Sequence, residues 1–224
     1  MDSADRRPLD TVFARLDPGR TMRSGAAIGR QPSVTRPVGI LLAAGSSSRF
    51  GGNKLLHVMA DGSPMAVVCA RSMLSVLGRV VAVVRAEGAL ADALRFAGAE
   101  VVVCPHADRG MGDSLAWGVG ATAEAAAWIV ALADMPFVGA ATVAALAAAL
   151  GEGASLVAPV APDGRRGHPV GFGREWRQDL CALEGDAGAR DLLRRHGNRL
   201  QLLPTTDEGC LRDVDVPADL ARRR

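Results

Sequence analysis

The 224-residue chain is short of several things, and each shortage removes a class of function. Its four cysteines, Cys69, Cys104, Cys181 and Cys210, form no CxxC pair, so the spacing of a zinc site is missing. Four scattered thiols read instead as small buried hydrophobes in a reducing compartment. The first residues, MDSADRRPLD, lack the apolar core of a signal peptide. The longest apolar region, residues 125–150, is rich in alanine and broken by Asp134 and Pro136, which argues against a membrane span. A cytoplasmic protein that engages no membrane is expected. Net charge is scarce too, at +2 overall. Residues 1–36 hold seven arginines against four aspartates, which leaves 19 basic and 20 acidic residues for the rest. So neutral a body offers no surface for nucleic acid. Scarcest of all is lysine: among 26 basic residues, Lys54 stands alone.

What is present supports a packed core, with 49% hydrophobic and 22% charged residues. Residues 1–36 show little apolar periodicity and are rich in Arg, Ser, Gly and Pro, so they are expected to be a disordered extension. A short helix at residues 9–16 is the one element their pattern allows. Residues 37–224 are expected to form one domain. Continuous apolar runs at residues 38–44, 80–84, 100–104, 127–133 and 155–160 read as strands buried on both faces. Helical patterns separate them at 64–77, 88–97, 114–126 and 140–150. This alternation predicts an α/β fold: three layers, doubly wound around a mostly parallel sheet. After Gly164 the rhythm changes. Residues 168–172 look like a strand, with antiparallel pairing open to it, followed by helical stretches at 174–183 and 187–196. A strand at 199–204 and a short one at 211–215 would come next, with Pro217 opening a final helix. Trp117, Trp128 and Trp176 read as packing anchors.

The first strand runs into GSSSRFGGNK, residues 45–54. A Gly/Ser-rich turn after a buried strand exposes backbone N–H groups that can cradle phosphate oxygens, and Arg49 and Lys54 add positive charge. A triphosphate needs both features. Two other phosphate motifs fail on spacing. Lys54 lies between Asn53 and Leu55, which breaks the P-loop pattern, and no GxGxxG is present. The sole lysine ends this turn, where a compact ammonium fits between phosphate oxygens better than a planar guanidinium. Asp134 emerges from the apolar fourth strand at the carboxyl end of the sheet, where α/β proteins bind ligands. Mg²⁺ favours one or two carboxylates plus phosphate oxygens, so Asp134 suits that ion; the alternative is a helix N-cap.

The segment LAAGSSSRFGGNKLL resembles the LAAGxSxRxGxxK signature of the MobA-like nucleotidyltransferases, the family of the molybdenum cofactor guanylyl- and cytidylyltransferases. The resemblance extends over about residues 38–224. It implies a nucleotide-diphospho-sugar-transferase-like, Rossmann-like fold with the loop wrapped around the triphosphate. Phe50 stands where such enzymes often have Met. The implied nucleotide-binding residues are Leu42, Ala43, Ala44, Gly45, Ser46, Arg49 and Lys54, with Gly112 and Ser114 from a GMGxSL-like segment. Within that segment Asp113 could equally be a helix N-cap. Arg49, Lys54 and Asp134 are the implied catalytic residues. DVDVPADL, residues 213–220, resembles the family's IDTPEDL motif with Val216 in place of Thr, and assigns Asp215 as the second Mg²⁺ ligand beside Asp134. The alternative for Asp215 is a cap on the last helix. His168, in a loop holding Arg165 and Arg166, and Asp186 and Arg190, in a GDxGAR-like segment, are implied to bind the acceptor.

The implied reaction is attack by an acceptor phosphate oxygen on the α-phosphorus of a nucleoside triphosphate, with pyrophosphate leaving. Ala43-Ala44-Gly45 matches the cytidylyl branch, which points to CTP with a molybdopterin-type cofactor as acceptor. GTP, a sugar or polyol phosphate acceptor, and a non-catalytic carrier of molybdenum cofactor serving a molybdoenzyme are the alternatives.

Overall fold

The structure is a computed structural model, and it describes residues 36–45, 50 and 53–221. The expectations for residues 1–35 lie outside the described residues. Seven strands form one sheet: β1 (Val38–Ala43), β2 (Val80–Val84), β3 (Glu100–Val103), β4 (Ala127–Leu132), β5 (Leu156–Val160), β6 (Val170–Gly173) and β7 (Leu200–Pro204). Their order is β3-β2-β1-β4-β6-β5-β7. Every ladder is parallel except the two that β6 makes with β4 and β5.

Seven α-helices accompany the sheet among the described residues: α1 (Met65–Leu77), α2 (Ala89–Phe96), α3 (Met111–Gly120), α4 (Ala140–Gly151), α5 (Arg177–Cys181), α6 (Arg190–Arg195) and α7 (Ala218–Ala221). Alternation along each strand sorts side chains onto two faces. Leu41, Ala43, Val80, Ala82, Val84, Ile129 and Ala131 pack with α1, α2 and α4. Val38, Ile40, Val81, Val83, Trp128 and Val130 pack with α3, α5 and α6. Both faces are therefore buried, which is why these strands read as unbroken apolar runs. The expected three-layer, doubly wound arrangement is the one observed.

Three local expectations are corrected. Helix α3 begins at Met111 rather than 114 and ends at Gly120 rather than 126. Gly110, at φ 138°, breaks the chain just before it. Beyond its end, the Thr122 hydroxyl turns back to the Gly118 carbonyl (3.0 Å) and accepts the Trp128 indole N–H (2.8 Å). Residues 211–215 form no strand; a 3-10 turn, Glu208–Leu211, precedes them. Trp128 and Trp176 are buried as expected, but Trp117 is 43% exposed because it lies on the outer side of α3.

Strand order reverses beside β1, since β2 and β3 lie on one side and β4 on the other. In open α/β sheets the crevice at the carboxyl ends of such strands is where ligands bind.

Candidate active site

Lys54 opens a 3-10 turn, Lys54–Leu56, whose Leu55 is buried against the α1 face of the sheet. The turn is pinned by the His57 N–H on the Lys54 carbonyl (3.0 Å) and by the Met65 N–H on the His57 carbonyl (2.9 Å). Its side chain is 11% exposed and reaches across the carboxyl end of the sheet. There Nζ donates to Asp134 Oδ2 (2.8 Å), the Val214 carbonyl (3.0 Å) and Asp215 Oδ1 (3.1 Å). Those three acceptors use all the donors an ammonium has. The partners lie 80, 160 and 161 residues away, so tertiary structure alone assembles this centre.

Asp134 lies two residues past the end of β4 and is tied to the C-terminal segment by the Val214 N–H on its carbonyl (2.9 Å). Its Oδ1 is buried with no hydrogen-bond partner. Asp134 does not cap a helix: the N-cap of α4 is Gly139, and the acid that holds the start of that helix is Asp207. The Asp207 carboxylate accepts from the Gly139 N–H (2.8 Å) and the Thr142 hydroxyl (2.5 Å). Nor is Asp215 the acid at the backbone N–H groups before α7. Asp219 Oδ2 accepts from Asp215 N–H (3.0 Å) and Val216 N–H (2.9 Å). Burial alone would pull the Lys54 pKa down, but its bonds and charge contacts with Asp134 and then Asp215 leave it above the ordinary lysine value.

A cavity of ≈ 310 Å³ opens beside this centre. Leu42, Ala44 and Gly45 from the end of β1, Lys54, Ser114 and Asp134 line it, as does Asp186. Ala43 does not; its side chain belongs to the core under α1 and α4. Gly112 does not line it either, because its N–H is spent on the Gly185 carbonyl (2.7 Å). Ser46 and Arg49 lie outside the described residues. A second cavity, ≈ 580 Å³, shares Leu42, Met111, Leu132 and Asp186 with the first. It gathers Arg165, Arg166, His168 and Arg190, so the residues expected at an acceptor site do meet. Burial pushes the His168 pKa below its ordinary value, and the charges of Asp134 and Asp213 oppose this only in part. Its Nδ1 is buried without a partner. Cys69 lies close to the centre, but burial pushes its thiol up to about 12, which leaves no thiolate for chemistry.

Asp113 is not the N-cap of α3 and does not line the first cavity. Gly110 occupies the N-cap position of α3, and Asp113 Oδ2 accepts instead from the Gly185 N–H at 2.8 Å. The sequence reading also missed Arg85. It follows β2 directly and lines the first cavity, with Nε on the Ala44 carbonyl (3.1 Å) and Nη2 on that of Ala107 (3.2 Å). The available signal was a charged residue immediately after a buried strand adjacent to β1.

A family model described as the MobA-like NTP transferase domain matches residues 39–200. The chain belongs to this family. Among curated proteins it is 30% identical over 207 residues to the purine catabolism protein PucB of Bacillus subtilis, covering 83% of this chain and 96% of that one. It is 31% identical over 203 residues to the nicotine blue oxidoreductase of Paenarthrobacter nicotinovorans, covering 85% and 96%. Among solved structures it is similar to Rv0371c of Mycobacterium tuberculosis, with TM-score 0.70 and 27% identity over 84% of this chain and 96% of that one. Rv0371c has also been solved with manganese; that structure matches with TM-score 0.61 and 26% identity, covering 83% and 92%. Membership places the chain among nucleotidyltransferase-type enzymes, and the expected nucleotide-diphospho-sugar-transferase-like fold is shared by its structural neighbours. Among the described residues no helix is long and apolar enough to cross a membrane.

Proposed function

We propose that the protein transfers CMP from CTP to a molybdopterin-type cofactor in the cytoplasm, with release of pyrophosphate. The observation that carries this reading is the meeting of Lys54, Asp134 and Asp215 beside two adjoining cavities. The second cavity is lined by three arginines and His168, which suits an anionic acceptor rich in hydrogen-bonding groups. The choice of cytidine rests on Ala43-Ala44-Gly45. The four cysteines are free, in keeping with a reducing compartment.

Asp134 and Asp215 would hold a magnesium ion. They fit it: Asp134 Oδ1 is a buried acceptor with no donor, and two carboxylates are what Mg²⁺ takes before phosphate oxygens complete its shell. No cluster of three or more His, Cys, Asp or Glu competes for a metal among the described residues. Manganese in the related Rv0371c agrees with a divalent ion. When bound, the ion supplies Lewis-acid polarisation of phosphoryl oxygens.

The chain's own residues do the rest. An acceptor phosphate oxygen attacks the α-phosphorus; the bond to the bridging oxygen breaks, and pyrophosphate leaves with the electron pair. Lys54, aided by Arg49, neutralises charge developing on the α-phosphoryl and leaving phosphates. The acceptor is already ionised, so no general base is needed. His168, kept neutral by burial, orients the acceptor through hydrogen bonds rather than charge.

The test is pyrophosphate release measured with each nucleoside triphosphate, with and without molybdopterin. CTP-dependent release that requires molybdopterin supports the reading. Release with GTP, or with a sugar or polyol phosphate, changes the substrate and keeps the class. Binding with no release makes the protein a carrier. Oxidation of NADH or NADPH without release would place it functionally beside the oxidoreductase relative.

A further inference from the structure

We propose that Asp113 is a positioning residue that fastens the acceptor side of the site to the nucleotide side. The inference rests on the assignment of the two cavities given above and adds the element that couples them.

Two hydrogen bonds, one to a side chain and one between backbones, join the first turn of α3 to the loop between α5 and α6. Asp113 Oδ2 accepts from the Gly185 N–H at 2.8 Å, and the Gly112 N–H donates to the Gly185 carbonyl at 2.7 Å. The approach is close enough to require glycine. A Cβ on Gly110 would sit 2.4 Å from the Gly185 carbonyl carbon, and one on Gly112 would sit 2.8 Å from the Glu184 carbonyl oxygen. Gly110 also holds φ at 138°, a backbone that L side chains rarely adopt. The sequence therefore keeps small residues where the loop lies on the helix and places a carboxylate to lock it there.

The two sides of this junction border different cavities. Gly110 and Ser114 of the α3 turn line the first cavity alone, while Met111 lines both. The loop continues into Asp186, which lines both cavities, and Arg190, which lines the second. Ligand contact with the turn is thus passed to the acceptor wall through the Gly185 peptide. Asp113 touches neither cavity and acts through its neighbours.

An acidic residue in the first helical turn also favours the helix dipole, so two roles must be separated. Asp113→Asn removes the charge but keeps an oxygen for the Gly185 N–H. Asp113→Leu removes both while keeping the branch at Cγ, and Asp113→Ala repeats the loss with a smaller side chain should the bulkier leucine variant fail to fold. Amide hydrogen exchange is measured on the full chain with and without CTP and Mg²⁺, and KM is measured for CTP and molybdopterin.

In the wild type and in Asp113→Asn, CTP slows exchange over residues 110–115 and also over 184–190. In Asp113→Leu or Asp113→Ala the slowing at 110–115 remains and that at 184–190 is lost. The KM for molybdopterin then rises by about tenfold, within the usual range of coupling between sites, while that for CTP changes by less than about threefold. The inference is overturned if CTP never slows 184–190 in the wild type. It is overturned if the leucine and alanine variants transmit the effect, or if the asparagine variant fails as badly as they do. Those results leave the proposed function standing. Absence of any CTP effect on exchange anywhere would remove the nucleotide-site assignment, and this inference with it.

Discussion

Replacing Lys54 with methionine removes one ammonium and strands three acceptors. A hydrogen bond to a charged partner contributes about 1.5–3 kcal/mol, which is the scale for Asp134. Asp215 is 49% exposed, so its pairing is screened and belongs nearer the surface scale of about 0–1 kcal/mol. The expected loss of stability is therefore about 2–4 kcal/mol, a drop of roughly 5–15 °C in Tm for a domain of this size. The effect on rate is separate. In the proposed reaction, losing the ammonium charge beside the developing phosphate charge lowers kcat by about 10²–10³. Lys54→Arg divides the two effects: the charge stays, so much of the stability returns, but a planar guanidinium spreads its donors over three nitrogens and does not reproduce the compact ammonium, so the rate does not. Thermal melts and pyrophosphate release from the same preparations read both quantities. A folded Lys54→Met protein that keeps kcat within about threefold of wild type would refute the reasoning, as would an arginine variant that restored rate and stability together.

Asp134→Asn should weaken Mn²⁺ binding in the presence of CTP by about tenfold or more, read by electron paramagnetic resonance; unchanged binding would remove Asp134 as a ligand. Burial lowers the folded pKa of His168 below that of the unfolded chain, so between those two values the unfolded state holds the extra proton. Stability associated with His168 is complete above about pH 6.5 and falls as pH drops through the unfolded pKa towards the folded one, by at most about 1.4 kcal/mol per pH unit. Melts of His168→Asn should accordingly flatten on the acid side relative to wild type, and parallel curves would contradict the burial argument. Asp207→Ala strips the cap from α4 and should cost about 1–2 kcal/mol, visible in urea unfolding, with kcat unchanged.

Much of this was legible because both faces of the sheet are buried. The runs that became β1, β2 and β4 contain no polar residue to obscure them, and each turned out to be a strand. Asp134 could be singled out for a related reason, as a lone acid past an apolar strand, and Lys54 as the sole lysine, at the end of a Gly/Ser-rich turn. Asp113 and Arg85 could not. Their partners are the backbone of Gly185, Ala44 and Ala107, and a main-chain carbonyl or N–H leaves no trace in a sequence. Residues 211–215 misled for the opposite reason. Leu211 and Val214 suggest a strand, but Val214 uses its N–H on Asp134 and its carbonyl on Lys54, which leaves it nothing for a ladder.

An enzyme with a single ε-amine carries its own reporter. Reagents that acylate or methylate amines attack the deprotonated lone pair, and at Lys54 that lone pair is suppressed by the two flanking acids and enclosed by protein. Labelling of this chain should thus fall mainly on the α-amino terminus, and any ligand that draws the side chain away from its acids would register as a second modified site. Isotope-labelled lysine would give one resonance and no assignment problem, so the state of Lys54 could be followed in the unmodified protein.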